Sequence, residues 1–232
     1  GAVRGNLDDL SVYRNTITST EIAVPKKGGD SSVEGGELYP GQVFFSDFER
    51  ENDGTTIYGK GSFIDFGGNF GRVFQNVGGA QRSNYLILPE DVLSHSAETK
   101  ELSIGVWVNA ANAGASADYM WAPLFSAYAS GPATDNGTPM FICQYRGILQ
   151  VNCNGWCDFT DAQNVAGTNG VYHDATDWLA DKGWHYYTVT LTETNAKVYF
   201  DGVLKNEWNV SGSGDGNVIG YLGEIHPTVA AN

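Results

Sequence analysis

Covalent and metal chemistry in proteins depends most often on histidine and cysteine, and both are sparse in this chain. It contains four histidines and three cysteines: His95, His173, His185, His226, Cys143, Cys153 and Cys157. No histidine has a serine or cysteine context that resembles a nucleophile elbow. The cysteine spacing matches no zinc motif, and the odd number allows at most one disulfide bridge. We therefore predict neither a zinc site nor a nucleophilic hydrolase.

Aromatic rings beside short polar side chains indicate a different chemistry, the recognition of sugars. A ring offers a flat surface to the C–H face of a sugar, and neighbouring amides or carboxylates make directed hydrogen bonds. Four rings stand in or beside stretches rich in Asn and Asp and are the predicted ligand-binding residues: Trp121, Trp156, Tyr172 and Trp178. The alternative for each ring is a packing role, which is common for tryptophan in β proteins. We assign Trp107 and Trp184 to the scaffold.

Strands must position these side chains, because hydrophobic residues recur with a period of two. Between Leu102 and Val108 the aliphatic residues fall on one parity, and the small or polar residues, with Trp107, fall on the other. Asp201-Gly202 separates two further apolar runs, and this dipeptide tolerates the positive φ angles of a tight hairpin. No amphipathic helix is predicted. Further strands are predicted at residues 42–48, 63–66, 72–77, 84–88, 121–129, 140–145, 148–153 and 217–222.

The composition excludes several classes of partner. Hydrophobic residues make up 41% of the 232 residues and 30 residues are glycine, which suits a globular β protein with many reversals. Asp and Glu outnumber Lys and Arg by 27 to 13, and the formal charge of -14 repels nucleic acids and anionic membrane surfaces. No run of about 18 apolar residues is present, so we predict no membrane span.

The segment from Gly183 to Leu204 carries the most specific pattern in the sequence. It reads Gly-Trp-His-Tyr-Tyr-Thr-Val-Thr-Leu from Gly183 and Ala-Lys-Val-Tyr-Phe-Asp-Gly-Val-Leu from Ala196. This pair resembles the WHH strand and the YVDGVL hairpin of laminin G-like domains, within the concanavalin A-like lectin and glucanase superfamily. The resemblance covers about residues 42 to 222 and implies an all-β, antiparallel β-sandwich of the jelly-roll type. Other strands that match the family in order and spacing begin at Val43, Gly61, Asn84 and Leu102.

The usual last strand of that family lies at the amino end of this chain. Family members end with a strand of the type IDDVRIYNRALS, and here the motif is carried by residues 5 to 22. We therefore divide the chain into residues 1–24, a strand that completes the sandwich, residues 25–40, a linker, and residues 41–232, the laminin G-like domain. Three explanations stay open: circular permutation, strand exchange between neighbours in a tandem array, and a missing carboxyl end.

The resemblance also implies a calcium ion. Members of the superfamily often hold one structural calcium between the first and last strands, which transfers here to Asp8 or Asp9 with Asp47 or Glu49. Carboxylate oxygens are suitable calcium ligands, and the alternative is that these acids simply face solvent. No EF-hand-like run supports the site independently.

Glycanases of the superfamily use a Glu-x-Asp-x-x-Glu strand that points two glutamates into one groove. The near match at residues 51–56 has Thr56 in place of the second glutamate, so we predict that the chain is not an enzyme. The predicted function is non-catalytic carbohydrate binding, as a lectin-like module of an extracytoplasmic protein, either secreted or at the cell surface. The alternatives are a protein-adhesion or structural module and, third, a glycoside hydrolase with unfamiliar catalytic residues.

Overall fold

The computed structural model describes residues 4–18, 41–49, 54–77, 84–89, 91–109, 122–129, 140–145, 148–153, 171–174, 183–192, 195–209 and 225–229. Its strands are β1 (Arg4–Tyr13), β2 (Gln42–Ser46), β3 (Thr56–Tyr58), β4 (Ser62–Asp65), β5 (Arg72–Val77), β6 (Tyr85–Ile87), β7 (Glu101–Asn109), β8 (Ala122–Ala129), β9 (Met140–Tyr145), β10 (Ile148–Cys153), β11 (Val171–Asp174), β12 (Trp184–Thr192), β13 (Asn195–Phe200), β14 (Val203–Asn209) and β15 (Ile225–Val229).

Helical structure is confined to two short pieces of the described chain, α1 (Ser94–Thr99) and a 3-10 turn at Gly68–Phe70. The sequence does not predict α1, because a helix of six residues is too short to show an amphipathic period. Within the described ranges no helix is long and apolar enough to cross a membrane.

The strands form two antiparallel sheets. Sheet A has the order β14-β13-β12-β7-β1-β5-β4, with β2 also paired to β1. Sheet B has the order β11-β10-β9-β8-β15-β6-β3. The predicted fold class, an all-β antiparallel sandwich, is therefore confirmed. The strand predicted at residues 217–222 lies outside the described residues.

One face of sheet A supplies the apolar core, because side chains alternate between the two faces along each strand. The aliphatic parity of β7 that the sequence predicts lies in this core. Burying one such side chain contributes about 1.5–3 kcal/mol to folding. Sheet B contributes Leu86 and Phe125 to the same core. The core residues of sheet A, each at most 6% exposed, include Leu7, Leu10, Val12, Phe74, Leu102, Ile104, Val106, Val108, Tyr187, Val189, Leu191 and Val198.

β1 is an interior strand of sheet A although it comes first in the chain. One of its edges pairs with β7. Its other edge pairs with β5 along the first half and with β2 along the second half. The predicted contact between residues 7–14 and residues 42–48 is therefore present, and Arg14 N donates to Gly41 O at 2.8 Å beyond the paired strands. The explanations for this strand order, and the domain boundaries, stay predictions.

The residues that follow β1 are fastened to the start of β7. Glu101 Oε2 accepts a hydrogen bond from Thr16 N at 2.8 Å and a second from the Thr16 hydroxyl at 3.2 Å. The Ser103 hydroxyl accepts from Ile17 N at 3.1 Å. These bonds position the end of β1 over the strand beside it.

The hairpin predicted at Asp201-Gly202 is confirmed. These residues join β13 to β14, and their φ angles are 49° and 78°. Two consecutive left-handed residues give a turn whose twist matches that of the flanking strands, which explains the Asp-Gly dipeptide.

Candidate functional site

The second face of sheet A is polar and aromatic rather than aliphatic. Residues directly opposite each other on neighbouring strands share a face, so the strand register identifies the members of this one. All of them except Trp184 are buried. We call this surface the polar face, and its residues include Asn6, Asp8, Ser11, Ser103, Trp107, Asn109, Trp184, Tyr186, Thr188 and Thr190. The apolar core does not require these residue types, so the polar face is the candidate site.

One end of the polar face carries a row of amide side chains beside a tryptophan. The register places Trp184 opposite Asn109, Asn109 opposite Asn6, and Asn6 opposite Gln75. Gln75 Nε2 donates to Asn6 Oδ1 at 3.4 Å. We call Asn6, Gln75 and Asn109 the amide row. Because neighbouring strands lie about 4.8 Å apart, the line from Trp184 to Gln75 spans about 14 Å across the sheet.

Aromatic rings cover the tryptophan end of the amide row. Phe70 stacks on Trp184 with ring centroids 4.1 Å apart and an interplanar angle of 9°, and Phe66 meets Trp184 edge-on at 5.2 Å. Trp107 contacts both Phe70 and Tyr186. Phe66 is 42% exposed and Phe70 and Trp184 are half-buried, whereas Trp107 and Tyr186 are buried. We call Phe66, Phe70 and Trp184 the aromatic patch.

The loop between β4 and β5 brings the two phenylalanines onto the polar face. Phe66 N donates to Gly71 O at 2.7 Å, which closes the loop. Gly67 and Gly71 have φ angles of 78° and 48°, a region that other residues rarely adopt. A side chain at Gly71 would also collide with the Glu49 carboxylate. The glycines of this loop are therefore needed to place Phe70 on Trp184.

β1 contains a bulge between Asp8 and Ser11, beside the aromatic rings. Asp8 lies opposite Trp107 and is fully buried, and Asp9 follows with a φ of 45°. The bulge lies where the partner of β1 changes from β2 to β5. Asp47 and Glu49 lie in the chain directly after β2. The structure therefore brings the predicted metal ligands into one region of sheet A.

The electrostatics of this region are repulsive. Burial, and then the charges of Asp47 and Glu49, raise the pKa of Asp9 from 3.8 to about 7. Burial also raises the pKa of Tyr186 well above its ordinary value, although a hydrogen bond with Ser11 opposes this. Near neutral pH the Asp9 carboxyl is therefore held between its protonated and charged forms.

A divalent cation would relieve this repulsion, and carboxylates are the ligands that calcium prefers. However, among the residues that the structure describes, no three histidine, cysteine, aspartate or glutamate side chains converge closely enough to hold a metal ion. Glu49 Oε1 accepts from Arg72 N at 2.8 Å, and Asp47 Oδ1 accepts from Glu49 N at 3.1 Å. The donor chemistry fits calcium, but these side chains would have to turn, so calcium binding stays a prediction.

His185 belongs to a hairpin contact. Its Nδ1 lies 2.7 Å from Asp201 Oδ2, and its ring stacks on Phe200 with centroids 4.5 Å apart. Asp201 Oδ1 also accepts from Tyr186 N at 2.9 Å. The His–Asp pair therefore fastens the turn between β13 and β14 to β12.

The ligand-binding residues predicted from the sequence are not brought together by the described structure. Trp121, Trp156 and Trp178 lie outside the described residues, and Tyr172 lies on β11 of sheet B, where only the backbone is described. Trp107 and Trp184, which the sequence assigns to the scaffold, lie on the polar face and both pack against Phe70. The parity of Trp107, opposite to that of its aliphatic neighbours, is the sequence signal that points to this face.

Comparisons with known proteins give distant similarities. No protein-family model matches the chain, and no curated protein sequence matches it. Domain 4 of AbnA, a GH43 extracellular arabinanase from Geobacillus stearothermophilus, in complex with arabinotriose, is similar with a TM-score of 0.43 and 15% identity, over 77% of this chain and 73% of that chain.

Two further structures are less similar. A receptor binding domain has a TM-score of 0.36 and 13% identity, over 77% of this chain and 38% of that chain. SCLam, a non-specific endo-beta-1,3(4)-glucanase from family GH16, has a TM-score of 0.30 and 16% identity, over 57% of this chain and 52% of that chain. We draw no function from these likenesses.

Proposed function

We propose that this chain is a non-catalytic module that binds carbohydrate on the polar face of sheet A. The observation that carries the proposal is the alignment of the amide row with the aromatic patch across four neighbouring strands. An aromatic ring takes the apolar C–H face of a sugar, and amides beside it bond to the hydroxyls. The proposal includes an extracytoplasmic location, as the family resemblance implies.

Exposure separates the residues that would contact a glycan from those that position them. Phe66 is exposed, and Phe70, Trp184 and Gln75 are half-buried, so these four offer the contact surface. The other two amides are buried, and one of them orients Gln75 through its hydrogen bond. An oligosaccharide lying along the row would therefore cross the strands of sheet A rather than follow them.

The absence of catalysis is part of the proposal, with one observation against it. In support, Thr56 at the start of β3 replaces the second carboxylate of the glycanase motif. Against it, Asp9 lies near the acids Asp47 and Glu49, and its pKa is raised to about 7, so it could hold a proton for a leaving group near neutral pH. Glycoside hydrolysis is therefore the second candidate function, and incubation of bound glycans with the protein tests it by the release of reducing ends.

A glycan array followed by calorimetric titration tests binding on the polar face. The array identifies a glycan, and the titration compares wild type with Phe66→Ala. We expect Phe66→Ala to weaken binding about three- to tenfold, because it removes one aromatic contact worth about 0.5–1.5 kcal/mol.

Tyr58→Ala is the matched control. Tyr58 lies on β3 of sheet B, is 51% exposed, and stacks on Tyr85 with centroids 4.6 Å apart. Its loss should leave binding unchanged. An equal loss in both variants, or none in Phe66→Ala, would show that the glycan does not lie on the polar face. Silence across the array together with capture of a protein ligand would favour the adhesion module.

A further inference from the structure

We infer that one sugar unit of the glycan binds between the rings of Phe70 and Trp184, and that the site therefore selects pyranoses whose hydroxyls are all equatorial. The inference rests on the proposed function and deepens it by naming the class of ligand. It follows from the parallel stack of these two rings and from the glycines that flank Phe70.

Phe70 covers the face of Trp184 that a sugar would use. The two rings are nearly parallel, with an interplanar angle of 9° and centroids 4.1 Å apart. Phe66 meets the same tryptophan edge-on and closes one side of the stack. A sugar places its C–H face against an aromatic ring in the same parallel arrangement. Phe70 must therefore move before a sugar can stack on Trp184.

Glycines on both sides of Phe70 allow this movement while the base of the loop stays closed. Gly68 and Gly71 have φ angles of 61° and 48°, a region that is open mainly to glycine. A Cβ added at Gly68 would meet no atom of the described chain within 4 Å, and residues 67–69 are exposed. The hydrogen bond from Phe66 N to Gly71 O holds the base of the loop.

Trp184 is held more firmly than Phe70. It is the first residue of β12, it lies opposite Asn109 of β7, and its indole nitrogen is buried. Atoms in van der Waals contact are about 3.5–4.0 Å apart, so a sugar between the two rings needs them about 7–8 Å apart. Phe70 therefore moves away by about 4 Å, and two ring–sugar contacts replace one ring–ring contact.

A sugar between two parallel aromatic rings must offer a C–H face to each of them. A β-linked pyranose with only equatorial hydroxyls has axial hydrogens on both faces, as in gluco- and xylo-configured chains. An axial hydroxyl, as in a manno-configured chain, would be pressed against one of the rings and would lose its hydrogen bonds with water. Equatorial hydroxyls point outward from the rim of the sugar and stay free for hydrogen bonds.

Calorimetric titration with the trisaccharides of cellulose, xylan and β-linked mannan tests this selectivity. The three share one type of β linkage, and only the mannan trisaccharide has an axial hydroxyl on each sugar. We expect it to bind about three- to tenfold more weakly than the other two, because it forfeits one aromatic contact.

Equal or tighter binding of the mannan trisaccharide overturns the inference and leaves the proposed function standing. So does silence of all three trisaccharides when the glycan array identifies a different glycan. Silence of the whole array overturns the proposed function and the inference with it.

Phe70→Ala distinguishes a ring that covers Trp184 from a ring that only adds a contact. The variant uncovers Trp184, so it should bind the mannan trisaccharide about three- to tenfold tighter than wild type does. Its affinity for the other two should change by less than about twofold, because the lost contact is offset by a stack that no longer has to open. A loss of affinity for all three would place the sugar outside the stack and overturn the inference.

Tyr58→Ala is again the matched control, because it breaks the exposed stack of Tyr58 on Tyr85 in sheet B. It should change none of the three affinities. An equal change in both variants would mean that the effect of Phe70→Ala does not come from the stack on Trp184, and would overturn the inference.

Proton NMR of the cellulose trisaccharide bound to wild type tests the arrangement without a variant. An aromatic ring above and below one sugar should shift its axial hydrogens on both faces to higher field. Shifts confined to one face of every sugar would overturn the inference, because the ligand would then lie on a single aromatic surface.

Discussion

Asp9 combines an unusual backbone conformation with a perturbed carboxyl pKa. Its φ of 45° is a left-handed conformation that Asp and Asn tolerate better than most residues. Its pKa of about 7 means that the folded state prefers the protonated carboxyl. Protonation of Asp9 in the folded state therefore contributes stability that is fully present below about pH 3.8, the ordinary pKa of the carboxyl. This stability is lost as the pH rises through about 7.

Asp9→Asn tests the free-energy cost of the charged Asp9 carboxylate in the folded state, because Asn tolerates the left-handed backbone and removes the charge. We expect the variant to match wild type near about pH 4 and to be more stable near about pH 8, by up to on the order of 4 kcal/mol, since each pKa unit is worth about 1.4 kcal/mol. Urea unfolding at the two pH values, with a chelator present, measures the difference. A difference that does not change with pH would rule out this electrostatic cost.

The same variant tests the predicted calcium ion. If calcium binds between the acids of β1 and those that follow β2, adding it at about pH 8 should raise the urea midpoint of wild type and not that of Asp9→Asn. Equal responses in both proteins would place any calcium site elsewhere.

At the scale of elements, the sandwich depends on β1. This strand pairs along both edges, and its apolar side chains complete the core. We expect Leu10→Ala to destabilise the protein by about 2–5 kcal/mol, because it leaves a cavity in a packed interior. Urea unfolding measures the loss.

Val203→Ala is the control for this prediction. Val203 is 58% exposed on β14, at the edge of sheet A, so its truncation should change stability by less than about 0.5 kcal/mol. A loss in Leu10→Ala as small as in this control would mean that β1 does not belong to the core.

The sequence predicts where β1 lies but not its shape. The family motif and the linker place residues 7–14 beside residues 42–48. The bulge is harder to predict, because strict alternation would put Leu7 and Leu10 on opposite faces. Both are core residues, so their spacing of three residues requires one extra residue between them, which is the bulge. The change of partner from β2 to β5 depends on contacts between distant parts of the chain, which local sequence does not encode.

At the scale of the whole molecule, the fold class could be predicted because it depends on composition and on the period of the strands. The candidate site could not, because it is assembled by register. The amide row comes from positions 6, 75 and 109, and the tryptophan beside it is residue 184. The ligand-binding residues predicted from loops rich in Asn and Asp, Trp121, Trp156, Tyr172 and Trp178, stay a prediction, and the polar face is a second candidate built mainly on strands.

Oxidative footprinting read by mass spectrometry compares these two sets of residues in one measurement. It reports the solvent exposure of each aromatic side chain with and without a saturating glycan. If carbohydrate binds on the polar face, Phe66, Phe70 and Trp184 become protected while Tyr58 does not. Protection confined to Trp121, Trp156, Tyr172 and Trp178, with the aromatic patch unchanged, would contradict binding on the polar face.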